Sequence, residues 1–496
     1  MAKKEKASKF DANGVRKFGL RDKLAYAAGD AGCNLSFGLK GTVQTFWLVY
    51  MMMETGLLSI LLLLVQAWDA INDPIIGAMI DADQRKYKRG KFKTYILIGA
   101  IGLIVGGAAV FMPFPGAPVV VKAALFIIGY IIWDAAYTMA NVPYGSMLSL
   151  ITENPGERAQ LSTWRSIGSM FGNMAPMMIL PMIIWRDHKY DGTGIIEGLE
   201  GVFHTNPKTG LDYQIGETML NPLTHANVQD LLGQNVFWAA LIMGVLGFAF
   251  FMFMLKKITL RVDESNVKIE EGGQKVNIFR SFGTFLKNRA AVGATVAAMA
   301  MFLGMNSATT ATTIMFATYF GKADLSGIAS AIGFIPMMFF MPFINKIVAK
   351  YGKKEAATIG TIVSLVGAAL MFVFPLIGDK TLSLVAYILA LAIFGLGMGF
   401  YTCISWAMMA DAIEYNEYVT GRRDEGTVYS LHSFFRKLAQ GVGPTIVLFI
   451  MGWLGYNSDF GVAGQAPTTV ANMCWLVAGL YLFSAILMFV GIALIY

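Results

Sequence analysis

Twelve stretches of this chain are apolar over lengths that cross a bilayer, and that leaves few folds open to it. They lie at 24–52, 55–81, 94–113, 120–150, 163–185 and 236–256. After a polar interval the rest follow at 288–320, 323–349, 356–378, 382–410, 428–453 and 470–496. An α-helix rises ~1.5 Å per residue, so roughly 20 residues traverse the hydrocarbon core. Lipid offers the backbone no hydrogen-bond partner, so such runs read as transmembrane helices. Only 14% of the residues are charged, against about 25% in a soluble domain. The expectation is an all-α membrane protein, with twelve transmembrane helices in two pseudo-symmetric six-helix bundles.

Basic residues set the orientation. Lys3, Lys4, Lys6, Lys9, Arg16, Lys17, Arg21 and Lys23 precede the first run, and Arg85, Lys86, Lys88, Arg89, Lys91 and Lys93 follow the second. The connections after the sixth and eighth runs are basic too, and the opposite side has few such residues, which places both termini in the cytoplasm under the positive-inside rule. Topology thus accounts for the net charge of +7, with no basic patch left over for nucleic acid. The first 23 residues are polar and show no cleavable signal. Cys33, Cys403 and Cys474 fall within spans, without metal-ligand spacing, and read as packing residues.

Short motifs recur at equivalent places in the two halves. Arg89 Gly90 Lys91 Phe92 Lys93 follows the second run and Lys350 Tyr351 Gly352 Lys353 Lys354 the eighth. Gly156 Glu157 Arg158 follows the fourth and Gly421 Arg422 Arg423 the tenth. This suggests a cytoplasmic N-terminus at 1–23, a first bundle at 24–256 with a long outer loop at 186–235, a central cytoplasmic loop at 257–287 and a second bundle at 288–496. Duplicated six-helix units are the layout of secondary transporters, whose site lies between the halves near the midplane.

Inside the second run, Trp68 Asp69 Ala70 Ile71 Asn72 Asp73 Pro74 sets two carboxylates mid-membrane. Each ionised Asp there costs at least ~2.5 kcal/mol, so the pair faces a cavity or a partner. Asp69, Asn72 and Asp73 share one helix face, and Pro74 removes the N–H that would bond the carbonyl of Ala70. The fourth run repeats the device with Asp134, Thr138, Asn141 and Pro143. Together these oxygens could surround a small hard cation, sodium, or hold a proton on one carboxylate. A purely structural network is the alternative for the Asp pair, as pairing with a basic residue is for Asp134. Asp30, among small residues in the first run, could accept hydrogen bonds from ligand hydroxyls. Arg436 and Lys437 interrupt the eleventh run and are candidate partners for Asp30, Asp69 or an anionic ligand. Arg158 on one side, with Asp411, Glu414 and Arg423 on the other, could close an inner gate through ion pairs; solvated loops are the alternative. No nucleophile-base pair or metal motif suggests an enzyme, and no cofactor is implied.

WDAINDP in the second run, the GKFK after it, NVPYG in the fourth, GERAQL after that and ADAIEYNEYVTGRRDEG before the eleventh occur in order. In these motifs the chain resembles the glycoside-pentoside-hexuronide:cation symporters of the major facilitator superfamily. The resemblance implies the major facilitator fold and inward symport of a sugar with Na+ or H+ by alternating access. It implies a cation site at Asp69, Asn72, Asp73 and Thr138, in which Asp69 and Asp73 would hold Na+ if sodium is the coupling ion. It further implies a sugar-contacting acid at Asp30, a coupling lysine at Lys437 and sugar contacts from Asn141 and Arg165. Galactoside-carrying members have an acid and a tryptophan where this chain has Asn141 and Gly145, so a pentoside or hexuronide is expected instead of a galactoside. The expected setting is a monomer in the inner-membrane bilayer. Export of an amphipathic solute or lipid is the runner-up, and a membrane sensor is a more distant one.

Overall fold

The computed structural model describes residues 15–83, 85–192, 204–261, 283, 285–333, 335–420, 425–462 and 464–496. Ten of the described helices are long and apolar enough to cross a membrane. The first half contains α1 (Leu20–Phe37), α2 (Lys40–Thr45), α3 (Thr55–Ala82), α4 (Lys91–Val110), α5 (Val119–Ile151), α6 (Pro155–Ile184) and α7 (Gly233–Lys257). The second contains α8 (Arg289–Met315), α9 (Ser326–Ile332), α10 (Ile335–Tyr351), α11 (Lys353–Leu370), α12 (Lys380–Thr420), α13 (Glu425–Trp453) and α14 (Pro467–Phe489).

The packing repeats itself. In the first half α1 packs on α6 and α7, α3 on α5, and α4 on α5 and α7. In the second, α8 packs on α13 and α14, α10 on α12, and α11 on α12 and α14. Each pairing recurs six spans later, which is the two-bundle architecture expected from the repeated motifs. The halves meet through α3 with α13, α6 with α9, and α2 with α8.

Two of the expected spans are not single helices. The first breaks at the Gly38–Leu39 turn and resumes as α2, followed by a π-turn at Phe46–Tyr50. Gly38 lies so close to α6 that a Cβ on it would sit 3.3 Å from the Gly172 carbonyl. The eighth divides into α9 and α10 beside Gly333, whose backbone touches Gly395 of α12 with no room for a side chain. Close backbone contact at glycines replaces side-chain packing at both breaks, and glycine weakens a helix interior. By contrast, α3, α5, α6 and α13 run on through Pro74, Pro143, Pro176, Pro181 and Pro444.

At the basic face Arg261 ties the first half together. Its guanidinium donates to Asp22 at 2.9 Å, to the Arg16 carbonyl at 3.0 Å and to the Ile151 carbonyl at 3.1 Å. Just beyond α3, the Asp83 carboxylate accepts hydrogen bonds from Tyr87 Oη at 2.6 Å, the Arg85 N–H at 3.0 Å and Tyr95 Oη at 2.7 Å. These donors, Tyr87 foremost, hold its pKa down at about 2. A carboxylate whose folded pKa lies below its unfolded value, ~3.9, stabilises the fold above that value and loses the contribution as pH falls toward 2. Asp83→Asn should therefore flatten the fall in melting temperature between about pH 4 and pH 2. Parallel profiles for variant and wild type in detergent would refute this.

On the opposite face, β1 (Trp185–Asp187) pairs antiparallel with β2 (Gln229–Leu231) in the loop between α6 and α7. Gln229 donates to Asp187 at 2.6 Å and accepts the Ala323 N–H at 2.5 Å, so this loop reaches the second half. Residues 1–14, most of the central connection and Arg423 lie outside the described residues.

Candidate functional site

The predicted cation and sugar residues gather into two adjoining clusters on α1, α3, α5 and α6, with Lys437 of α13 reaching the second. In the first, Asp30 on α1 is 4% exposed. One of its oxygens accepts Arg165 Nε at 3.0 Å and the other accepts Asn34 Nδ2 at 3.0 Å. Arg165 also donates to Asn141 Oδ1 at 3.3 Å, and its guanidinium lies 5.0 Å from the centroid of the Tyr144 ring. Tyr144 stacks on Tyr26 at 4.6 Å. A Cβ built on Gly145 would sit 3.6 Å from Arg165 Nη1, placing that position in the same cluster. A carboxylate, a guanidinium and two carboxamides beside an aromatic face are what hydroxyl-rich ligands need: acceptors and donors in fixed directions.

The second cluster lies one to two turns away along α5. Asn72 donates to Asp134 at 3.1 Å and to Thr138 at 2.9 Å, and the Thr138 hydroxyl in turn donates a hydrogen bond to Asp73 at 2.8 Å. The i, i+4 spacing of Asp134 and Thr138 turns both toward α3. Asp69 pairs with Lys40 at 3.4 Å. Asp73 pairs with Lys437 of α13, an ion pair that crosses between the halves. Among the described residues no group of three or more His, Cys, Asp or Glu side chains is disposed to hold a metal ion. An ion here would rely on amide and hydroxyl oxygens as well.

Two residues of these clusters, Lys40 and Asn34, escape the sequence reading. Lys40 sits at the middle of the first run, where the burial argument applied to Asp69 would have singled it out. Asn34 lies four residues after Asp30 and shares its helix face. Asp134, which the sequence reading offered to a cation or to a basic partner, is fully buried at the centre of the second cluster. Of the two basic residues in the eleventh run, Lys437 pairs with Asp73. Arg436 lies over the Phe302 ring at 5.3 Å, inside the second half.

Among the described residues, the gate residues Arg158, Asp411 and Glu414 are not brought together. Asp411 pairs with Lys353 of its own half at 2.6 Å and 2.8 Å, Arg158 donates to the Thr152 carbonyl at 2.9 Å, and Glu414 is exposed. Among the described residues, contacts between the halves lie from the Asp73–Lys437 level toward the opposite face: Gln44 with Thr310, Gln229 with Ala323, and Gly327 against Met177 and Pro181. A small cleft there, lined by Thr42, Met177, Pro181, Thr309 and Ser330, includes none of the predicted site residues.

Residues 25–496 match the model of a family described as "MFS/sugar transport protein". The chain belongs to that family. The uncharacterised symporter YjmB of Bacillus subtilis (strain 168) is 26% identical over 458 residues, covering 91% of this chain and 87% of the relative. The glucuronide carrier protein homolog of Escherichia coli (strain K12) is 25% identical, covering 90% and 86%. The crystal structure of the nucleoside transporter NupG superposes with a TM-score of 0.57 at 14% identity, covering 96% of this chain and 99% of that one. That likeness shows the fold. Members of the MFS sugar-transport family are multi-pass membrane transporters rather than enzymes, in agreement with the symporter resemblance of the five sequence motifs.

Proposed function

We propose that this chain is a cation-coupled symporter that carries a pentoside or hexuronide inward with a sodium ion or a proton. The observation that carries the reading is the Lys437–Asp73 pair, which joins the two halves at the acid cluster. That cluster adjoins Asp30, Arg165 and Asn141 along α5. A cation bound among Asp69, Asn72, Asp73 and Thr138 competes with Lys437 for carboxylate charge, and so changes the link between the halves. Sugar held by Asp30, Asn141, Arg165 and the released Lys437 then favours the same state as the cation does. By linkage each ligand strengthens the other, typically ~5- to 150-fold.

The name of the glucuronide carrier homolog supports a hexuronide, and the absence of the acid and tryptophan of galactoside carriers at Asn141 and Gly145 argues against a galactoside. The basic face is assigned to the cytoplasm of an inner membrane, with both termini there. Contact between the halves on the opposite face then makes this an inward-facing state. In the alternate state Arg158 of the first half would meet Asp411, Glu414 and Arg423 of the second at the inner gate.

A melting-temperature panel of pentosides, hexuronides and other glycosides, with and without sodium and at two pH values, tests the reading. A ligand that binds the folded state raises its apparent stability. At least one pentoside or hexuronide should do so, and by more in the presence of the coupling cation. If no sugar shifts the protein in any condition, the reading fails.

A further inference from the structure

We propose that the Lys40 ammonium is a resident counter-ion at Asp69, and that the exchangeable cation binds instead between Asn72 and Asp134. This rests on the symport reading above and moves its cation site from the Asp69 and Asp73 carboxylates to that of Asp134, with Asn72 common to both. The cluster holds three carboxylates, Asp69, Asp73 and Asp134, and two ammonium groups, Lys40 and Lys437. Its formal charge is thus one negative.

Two of the acids already have a cation. Lys40 lies 3.4 Å from Asp69, held with its ammonium 5.0 Å from the Phe37 ring centroid and 5.7 Å from that of Tyr130. Lys437 pairs with Asp73, which also accepts the Thr138 hydroxyl. The third, Asp134, is 0% exposed and Asn72 is 1% exposed. They share one hydrogen bond, Asn72 Nδ2 to Asp134 Oδ2 at 3.1 Å. The other oxygen of each, Asn72 Oδ1 and Asp134 Oδ1, is buried without any hydrogen-bond partner.

An orphan buried acceptor is costly, and more so when it belongs to a charged group. Both orphans here are acceptors, on side chains already joined, in a cluster one positive charge short of neutral. A bridging water would satisfy the oxygens and leave the charge. A monovalent cation satisfies both. A proton on Asp134 Oδ1 would complete an acid–carboxamide ring with Asn72; a sodium ion would take the two oxygens as ligands. The charged and titratable groups around the pair are Lys40 from α2, Asp69 and Asp73 from α3, Tyr130 from α5 and Lys437 from α13.

The test is sugar accumulation in proteoliposomes under a sodium gradient and, separately, a pH gradient. Wild type should respond to one of them, which identifies the ion. Asp134→Asn, which keeps the side-chain shape, should lose that response by about 5- to 150-fold, the usual range of coupling between two ligands. Asp134→Glu should recover part of it. Lys40→Met frees Asp69 to take an added cation, so charge moved per sugar should rise roughly twofold, one further ion for one unpaired carboxylate. Elution of each variant as a single species in detergent excludes misfolding. Undiminished coupling in Asp134→Asn, or unchanged charge per sugar in Lys40→Met, overturns the proposal. Wild type that responds to neither gradient overturns the symport reading itself.

Discussion

Arg165→Ala should reduce uptake of the transported sugar by about 30-fold or more while also lowering the melting temperature. The reason is the state of Asp30 once its partner is gone. That carboxylate is 4% exposed and has two side-chain donors, Arg165 and Asn34. Truncating one member of a hydrogen-bonded buried charge pair costs ~2–5 kcal/mol, much of it from the charge left behind. The Arg165 side chain is 36% exposed, which puts the expected cost near the lower end. Two further variants separate stability from binding. Arg165→Lys keeps the charge but loses the fork that reaches Asp30 and Asn141 together, so uptake should recover only in part. The double change Asp30→Asn with Arg165→Gln removes both charges, so the melting temperature should return without uptake. Uptake that returns along with stability would show the pair to be scaffold only. Radiolabelled sugar in proteoliposomes and thermal unfolding in detergent supply the two readings.

Much of this site is legible in the sequence because it follows from spacing on single helices. Asp69, Asn72 and Asp73 share a face by the 3.6-residue period, and Asp134, Thr138 and Asn141 do likewise on α5. What spacing does not encode is which residue of another helix meets that face. Lys40 could be read only as one lysine in an apolar run until the Gly38–Leu39 turn set it beside α3. Lys437 and Arg436 are adjacent in sequence and point to different partners, one across the halves and one to Phe302. The gate residues show the same limit. Opposite charges on two loops suggest a pair, yet Asp411 binds Lys353 of its own half. Helix faces are local properties, whereas pairing between the halves depends on the state of the transport cycle.

That dependence makes the closed face a place where one side chain should stop the cycle. Gly327 of α9 packs directly on the Met177 carbonyl of α6, and a Cβ there would also lie 2.8 Å from Pro181 Cγ. Both neighbours are backbone or ring atoms, so they cannot swing aside as the end of a flexible side chain can. A Trp at this position fits only if α9 and α6 separate. Overpacking a close contact costs ~1–3 kcal/mol, occasionally more. Every 1.4 kcal/mol shifts a two-state equilibrium about tenfold, so the population closed on this face should fall by roughly 5- to 150-fold. Gly327→Trp should then lose most net uptake while opening the cleft at Thr42, which lines it. With Cys33, Cys403 and Cys474 replaced, a cysteine introduced by Thr42→Cys should react with a membrane-impermeant thiol reagent faster in the Trp variant than in the Gly327 background. Gly327→Ala, which adds one methyl group, should fall between the two. If the Trp variant transports normally and the labelling rate does not change, the α6–α9 contact is not the closure between the halves.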